Sequence, residues 1–183
     1  MNRKTVNDYR ILLFFTAFIW LLEIANLIFD HQLNQFALQP RQVSALPGIV
    51  TMHFLHWNLF HIISNSIPLL ILGFFVCSVG KGIKVTISIM LISGALVWLF
   101  ARNGLHAGAS GLVMGYWGYL ISNAVFDRSL KNIFFAILTI AFYGGIVFSL
   151  IDFREHVSFE GHIFGFLAGV MSAWIWRDKA NHR

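Results

Sequence analysis

A serine and a histidine in this chain have the types and surroundings of a nucleophile and its base. Ser110 stands in the segment Gly108-Ala109-Ser110-Gly111, where a loop meets an apolar helix, and His162 opens the last apolar segment. A neutral imidazole can take the proton of a serine hydroxyl and return it to a leaving amine. No Asp or Glu is placed to orient His162 at the same depth, so the sequence predicts a Ser-His dyad that performs acyl transfer.

Two polar residues of the second apolar segment are spaced so that their side chains can donate hydrogen bonds from the same helix face. His61 and Asn65 are four residues apart and therefore share one face of a helix. Side-chain donors stacked on one face can hold a tetrahedral oxyanion, and so can the free N–H groups where a helix begins at Ser110. These residues predict an oxyanion site beside the dyad.

Each of these residues also has a structural interpretation. Ser110 can be a helix N-cap, His162 a hydrogen-bonded core histidine, and His61 with Asn65 polar contacts between helices. His53, His56 and His61 invite a metal or haem site, but no cysteine or carboxylate joins His53 and His56 at ligand spacing, so we predict no metal. We expect His56 to brace an outer loop.

The composition is that of an integral membrane protein. Of the 183 residues, 57% are hydrophobic and 11% are charged, whereas soluble domains have about 25% charged residues. The length suits one domain over residues 1–183. The formal net charge of +5 does not indicate nucleic-acid binding, because the basic residues occupy short loops where they orient membrane proteins.

Six apolar segments approach the ~20 residues that a membrane-spanning helix needs. Backbone groups in lipid must be paired internally, so these segments predict an all-α membrane protein with six transmembrane helices. The predicted spans are residues 11–29, 54–79, 83–101, 110–126, 132–151 and 162–176. With both termini in the cytoplasm, ten Lys and Arg residues lie inside and three outside, which is the expected bias. The outer loops are then residues 30–53, 102–109 and 152–161.

The rise of a helix places the candidate residues in one layer. Counted from the inner charges at 1.5 Å per residue, Ser110 lies ~26 Å, Asn65 ~24 Å and His162 ~22 Å above the inner boundary, with His61 one turn above Asn65. The fourth helix is therefore expected to be short and to start inside the membrane. Irregular backbone at that depth requires a protein-lined or water-filled cavity.

Small residues recur on the two spans that carry the dyad. Gly161, Gly165, Gly169 and Ala173 repeat every four residues, and Gly108, Gly111, Gly115 and Gly118 line the fourth span. Such stripes allow helix backbones to approach closely. We expect them to bring the spans of Ser110 and His162 together.

Taken together, these residues resemble the rhomboid family of intramembrane serine proteases, in its minimal six-span bacterial type. The resemblance rests on His56-Trp57-x-x-x-His61-x-x-x-Asn65, Gly108-x-Ser110-Gly111 and His162-x-x-Gly165-x-x-x-Gly169, in order on spans two, four and six. It implies Ser110 as nucleophile, His162 as base, and an oxyanion hole of His61, Asn65 and the Ser110 N–H. His56, Gly108, Gly111, Met114, Gly165 and Gly169 are implied as supporting residues.

The resemblance also implies partners and a location. The substrates are single-span membrane proteins cut near the outer face, within the lipid bilayer, with no cofactor and no nucleic acid. The location is a bacterial plasma membrane, and the oligomeric state stays open. Two departures affect this inference: Met114 stands where some members carry a tyrosine, and residues 30–53 contain no Trp-Arg pair.

Two other functions compete with proteolysis. One is a catalytically inactive rhomboid-like protein that binds membrane segments for quality control, although such relatives usually lack the serine or the histidine. The other is a small transporter or haem-carrying subunit that uses the histidines as ligands. The sequence contains no inverted repeat and no pair of interrupted spans that would mark a transporter.

Overall fold

The computed structural model describes residues 3–151 and 158–177, and the regular elements of these residues are all helical. An isolated bridge also pairs Leu38 with His106. The α-helices are α1 (Arg3–Ile28), α2 (Gly48–Thr51), α3 (Leu59–Ser78), α4 (Gly82–Phe100), α5 (Ser110–Phe126), α6 (Leu130–Tyr143) and α7 (Phe159–Ile175). Shorter 3-10 helices cover Gln32–Phe36, Val43–Ala45 and Gly144–Ile151.

A helix overlaps each of the six predicted apolar segments, and three of the predicted bounds differ most from the structure. The first helix begins at Arg3 and not at residue 11. The helix of the second segment, α3, begins at Leu59 and not at residue 54, because the Asn58 side chain accepts the His61 N–H at 2.9 Å and caps the helix. The fifth segment is α-helical only to Tyr143 and continues as a 3-10 helix. The predicted outer loop 152–161 falls mostly outside the described residues.

Within the described residues, four helices are long and apolar enough to cross a membrane, which is the composition of a helical integral membrane protein. They are Arg3–Ile28, Leu59–Ser78, Gly82–Phe100 and the continuous helical stretch Leu130–Leu150. α5 and α7 have 17 residues each, which gives a length of ~26 Å. Large apolar side chains such as Phe60 and Leu130 point away from the protein, with 81% and 87% exposed, as lipid-facing residues do.

Helix α5 is the centre of the bundle. Eleven of its 17 residues are buried, and it packs against α3, α4, α6 and α7. A helix enclosed by other helices meets little lipid, so it does not need the length or the apolar surface of an outer span. This position explains why α5 is short.

Glycines set the crossing of α5 and α7, the most extensive helix pair of the described residues. A Cβ atom on Gly165 would overlap the carbonyl oxygen of Gly111, and one on Gly169 would overlap that of Gly115. The two backbones are therefore in direct contact, as the small-residue stripes predicted. Because α5 begins at Ser110 and the first turn of α7 holds His162, this contact brings both residues to the same end of the bundle.

Candidate active site

A cavity of about 950 Å³ opens at that end of the bundle. Ser110, His162, His61 and Asn65 all line it. The structure thus brings together the four residues that the depth argument placed in one layer.

Ser110 is the first residue of α5 and not its cap. The N-cap is Ala109, which has no side-chain hydrogen bond to the helix, so the interpretation of Ser110 as an N-cap is wrong. Ser110 lines the cavity. Its N–H belongs to the first turn, where helical N–H groups have no acceptor within the helix.

The ring of His162 is oriented by a backbone carbonyl. Its Nδ1 lies 2.9 Å from the carbonyl oxygen of Ser149, in the 3-10 helix that follows α6. A carbonyl can only accept, so Nδ1 carries the proton and the lone pair is on Nε2. Sequence reasoning missed Ser149, because a backbone carbonyl that acts from another helix has no signature in residue type.

The residues next to Ser110 and His162 are in contact. A Cβ atom on Gly111 would lie 3.2 Å from the carbonyl oxygen of Gly161. This close approach of the two helix starts leaves Ser110 and His162 on the wall of one cavity. The glycines therefore have the supporting role that the sequence suggested for close packing.

Met114 contacts the residue that orients His162. Its side chain is buried, and its sulfur lies 3.5 Å from the hydroxyl of Ser149, which also donates to the carbonyl of Ile146 at 2.7 Å. Thioethers are polarizable and fill irregular space. Met114 thus packs under the turn that presents the Ser149 carbonyl.

His61 and Asn65 lie against the backbone just before the serine. A Cβ atom on Gly108 would be 2.8 Å from His61 Nε2 and 3.6 Å from Asn65 Nδ2. The N–H of Trp57 approaches His61 Nδ1 at 3.5 Å, the long limit of a hydrogen bond, which favours the tautomer with the proton on Nε2. Both side chains then present donors at the segment that leads into Ser110.

The side-chain amide nitrogen of Asn65 is an unsatisfied hydrogen-bond donor within the described part of the chain. It is buried and has no hydrogen-bond partner among the residues that the structure describes. A polar contact between helices would pair this group, so the interpretation of Asn65 as interhelical glue does not account for it. A buried unpaired donor in a cavity wall suits an acceptor that arrives with a ligand.

His56 holds the backbone of the residue before Ser110. Its Nε2 accepts the N–H of Ala109 at 3.3 Å, and its carbonyl accepts the side-chain amides of Asn34 at 3.1 Å and Asn26 at 3.4 Å. The His56 ring also meets the His61 ring edge-on, with centroids 5.0 Å apart. His56 therefore connects the end of α1 and the 3-10 helix that follows it with the segment of the serine.

Comparisons with known proteins agree with one family. A profile of the Rhomboid domain matches residues 42–179. An uncharacterized protein of Mycobacterium tuberculosis is 30% identical over an alignment 175 residues long, which covers 90% of this chain and 73% of that protein. A Mycobacterium leprae protein is also 30% identical, over 90% of this chain and 69% of its own length. RHOMBOID-like protein 1 of Arabidopsis thaliana is 26% identical over 70% of this chain and 34% of its own length.

Proposed function

Because this chain belongs to the rhomboid family, we propose that it is an intramembrane serine endopeptidase with Ser110 as nucleophile and His162 as base. The observation that carries the proposal is the contact of His162 Nδ1 with the Ser149 carbonyl at 2.9 Å. This contact places the ring proton on Nδ1 and the basic lone pair on Nε2, and Ser110 lines the same cavity as His162.

The proposed reaction proceeds in two halves. Ser110 Oγ attacks the carbonyl carbon of the scissile peptide bond while His162 Nε2 takes the hydroxyl proton. The proton then passes to the leaving amine as the peptide bond breaks and an acyl-enzyme forms. A water molecule from the cavity hydrolyses the ester by the same route and restores Ser110.

The oxyanion of each tetrahedral intermediate is held by Asn65 Nδ2, His61 Nε2 and the Ser110 N–H. The support for this assignment is the unpaired amide of Asn65 and the position of both side chains against Gly108. Fixed donors in a site shielded from bulk water stabilise such charge without reorganising. His56 and the glycines at positions 108, 111, 165 and 169 hold this geometry, and Met114 supports the turn that orients His162.

The proposed substrates are single-span membrane proteins, cut near the outer face of the membrane. Six helices cross the bilayer in this proposal, with both termini in the cytoplasm of a bacterial cell. α5 and α7 are then the two short spans, and the excess of basic residues on one side supports the orientation.

The test is cleavage of a single-span substrate in liposomes that contain purified protein. Wild type should release two fragments with one new N-terminus, which mass spectrometry identifies. Ser110→Ala and His162→Ala should release none while they keep the wild-type unfolding midpoint. Undiminished cleavage by either variant would overturn the dyad.

Labelling of the serine separates this proposal from an inactive family member. A fluorophosphonate reacts with a serine only where a base and an oxyanion site activate it. Wild type should take up one label per chain at Ser110, and His162→Ala should take up none. Failure of the wild type to label would favour a protein that only binds membrane segments.

A further inference from the structure

His106 connects two segments that the proposed mechanism treats separately. It lies in the loop between α4 and α5, and its side chain is buried with 3% exposed. Two backbone hydrogen bonds with Leu38 fix its backbone. The His106 N–H donates to the Leu38 carbonyl at 2.8 Å, and the Leu38 N–H donates to the His106 carbonyl at 3.0 Å. These two bonds fix the backbone position of His106 in the loop.

Both nitrogens of the His106 ring are in contact with polar groups. Nε2 lies 3.1 Å from the carbonyl oxygen of Arg102, so this nitrogen carries the proton. Nδ1 is then an acceptor, and it lies 2.7 Å from the hydroxyl of Ser158. The Ser158 hydroxyl donates to His106.

Ser158 is the N-cap of the helix that carries the proposed base. Its hydroxyl oxygen accepts the N–H of Gly161 at 3.2 Å, and its carbonyl accepts the N–H of His162 at 3.3 Å. One hydroxyl thus caps α7 and, through its proton, attaches the cap to the loop of His106.

We propose that His106 is a positioning residue that sets the distance between Ser110 and His162 through its hydrogen bond to Ser158. Each end of this bond is four residues from a member of the dyad, since His106 precedes Ser110 by four and Ser158 precedes His162 by four. The inference rests on the proposed protease function.

The place of this bond explains why it is needed. The glycine contacts of α5 with α7 begin at Gly111 and Gly161, so the dyad lies at the open end of the crossing. Helix ends fray when nothing beyond them holds the first turn. The bond between His106 and Ser158 connects the segments that precede α5 and α7 at this end.

Burial keeps the His106 ring in the neutral state that the bond requires. Burial lowers the pKa of His106, the nearby carbonyl of Arg102 and the Glu160 carboxylate oppose this, and the cations of Arg102 and Arg41 lower it further. Arg102 and Glu160 also form an ion pair, with Nε 3.2 Å from the carboxylate oxygen. His106 is therefore neutral near pH 7 and available as an acceptor.

Two substitutions of similar size distinguish the role of the His106 ring as a hydrogen-bond acceptor from its role in filling space. His106→Asn puts an amide oxygen near the position of Nδ1, whereas His106→Leu fills the space without an acceptor. A small misplacement of reacting groups lowers rates by up to about 100-fold, so we expect kcat to fall about 10- to 100-fold in His106→Leu. KM should stay nearly constant, and His106→Asn should keep most of the wild-type kcat. Wild-type kcat in His106→Leu, or equal losses in both variants, would overturn the proposal.

A double-mutant cycle with Ser158→Ala tests the bond itself. The loss of the α7 cap is common to both backgrounds and cancels, so the remaining coupling reports the contact of His106 with Ser158. We expect the kcat loss of the double variant to be smaller than the product of the two single-variant losses, with the same non-additivity in the unfolding midpoint in detergent. Additive midpoint shifts would overturn the bond whatever the activity of the chain. If wild type cleaves no more than Ser110→Ala, the proposed function fails instead, and the positioning role with it.

Discussion

Gly165→Ala places a methyl group where two helix backbones touch. The added Cβ would lie 2.9 Å from the carbonyl carbon and 3.0 Å from the Cα of Gly111, and it would overlap the carbonyl oxygen. Carbon atoms pack at about 3.5–4.0 Å, so α7 must move away from α5 by about 1 Å. Since the clash is with backbone, no change of side-chain rotamer relieves it.

This displacement acts directly on the dyad. Gly111 follows Ser110, and Gly165 is three residues after His162 on α7. A shift of ~1 Å between reacting groups lowers rates about 100-fold, and we expect kcat for cleavage to fall by about that factor. Overpacking also destabilises by about 1–3 kcal/mol. Alanine is a better helix former than glycine by about 1 kcal/mol, which offsets part of this loss, so kcat is the sharper measure.

The assay compares kcat of Gly165→Ala with that of Gly145→Ala in the same liposomes. A Cβ on Gly145 meets nothing within 4 Å, so this variant adds the same methyl group without a clash. It should cleave at the wild-type rate. If Gly165→Ala cleaves as fast as Gly145→Ala, the crossing of α5 and α7 does not set the geometry of the site, and the reasoning is refuted.

Three other predictions concern the walls of the cavity. Asn65→Ala removes an oxyanion donor and should lower kcat about 100- to 1000-fold with little change in KM, measured against Asn65→Gln, which keeps an amide. Gly108→Ala, at φ 129, would place a methyl group 2.8 Å from His61 Nε2, whereas Gly104→Ala, at φ 149, adds one in open space. Both should lose about 1–3 kcal/mol of stability from backbone strain, but only Gly108→Ala should also abolish cleavage, as activity and unfolding midpoints will show. Burial lowers the pKa of His106 from its ordinary value of 6.5, so its contribution to stability is complete above pH 6.5 and declines as pH falls towards the lower folded-state pKa. The unfolding midpoint should fall over that range less steeply in His106→Asn than in wild type, and equal slopes would contradict this.

The sequence was sufficient to predict which residues share the cavity. Helix rise is constant and charged residues mark the ends of spans, so counting along the chain placed Ser110, His162 and Asn65 in one layer. The bounds of α5, residues 110–126, agree with the predicted fourth span. The glycine stripes predicted which two helices touch, because only small residues permit backbone contact.

Other features depend on contacts between distant segments. The Ser149 carbonyl that orients His162 could not be predicted, since each residue has a carbonyl and only the tertiary fold selects one. The predicted start of α3 at residue 54 is wrong because apolar content continues before the helix begins. Asn58, a good capping residue three positions before His61, marks the true start. The capping preference of serine likewise suggested an N-cap at Ser110, a position that Ala109 occupies.

The unpaired amide of Asn65 has a consequence for the stability of the protein. A buried donor without an acceptor destabilises a fold by about 1–3 kcal/mol, and this amide lacks one among the described residues. The resting protein therefore carries a local instability that an oxyanion bound at the proposed site would remove. Natural proteins often give up stability in this way where a site must be ready for chemistry. Replacement of Asn65 by an apolar residue of similar size should thus raise the unfolding midpoint while it removes activity, and a boronate that mimics the tetrahedral intermediate should raise the midpoint of wild type alone.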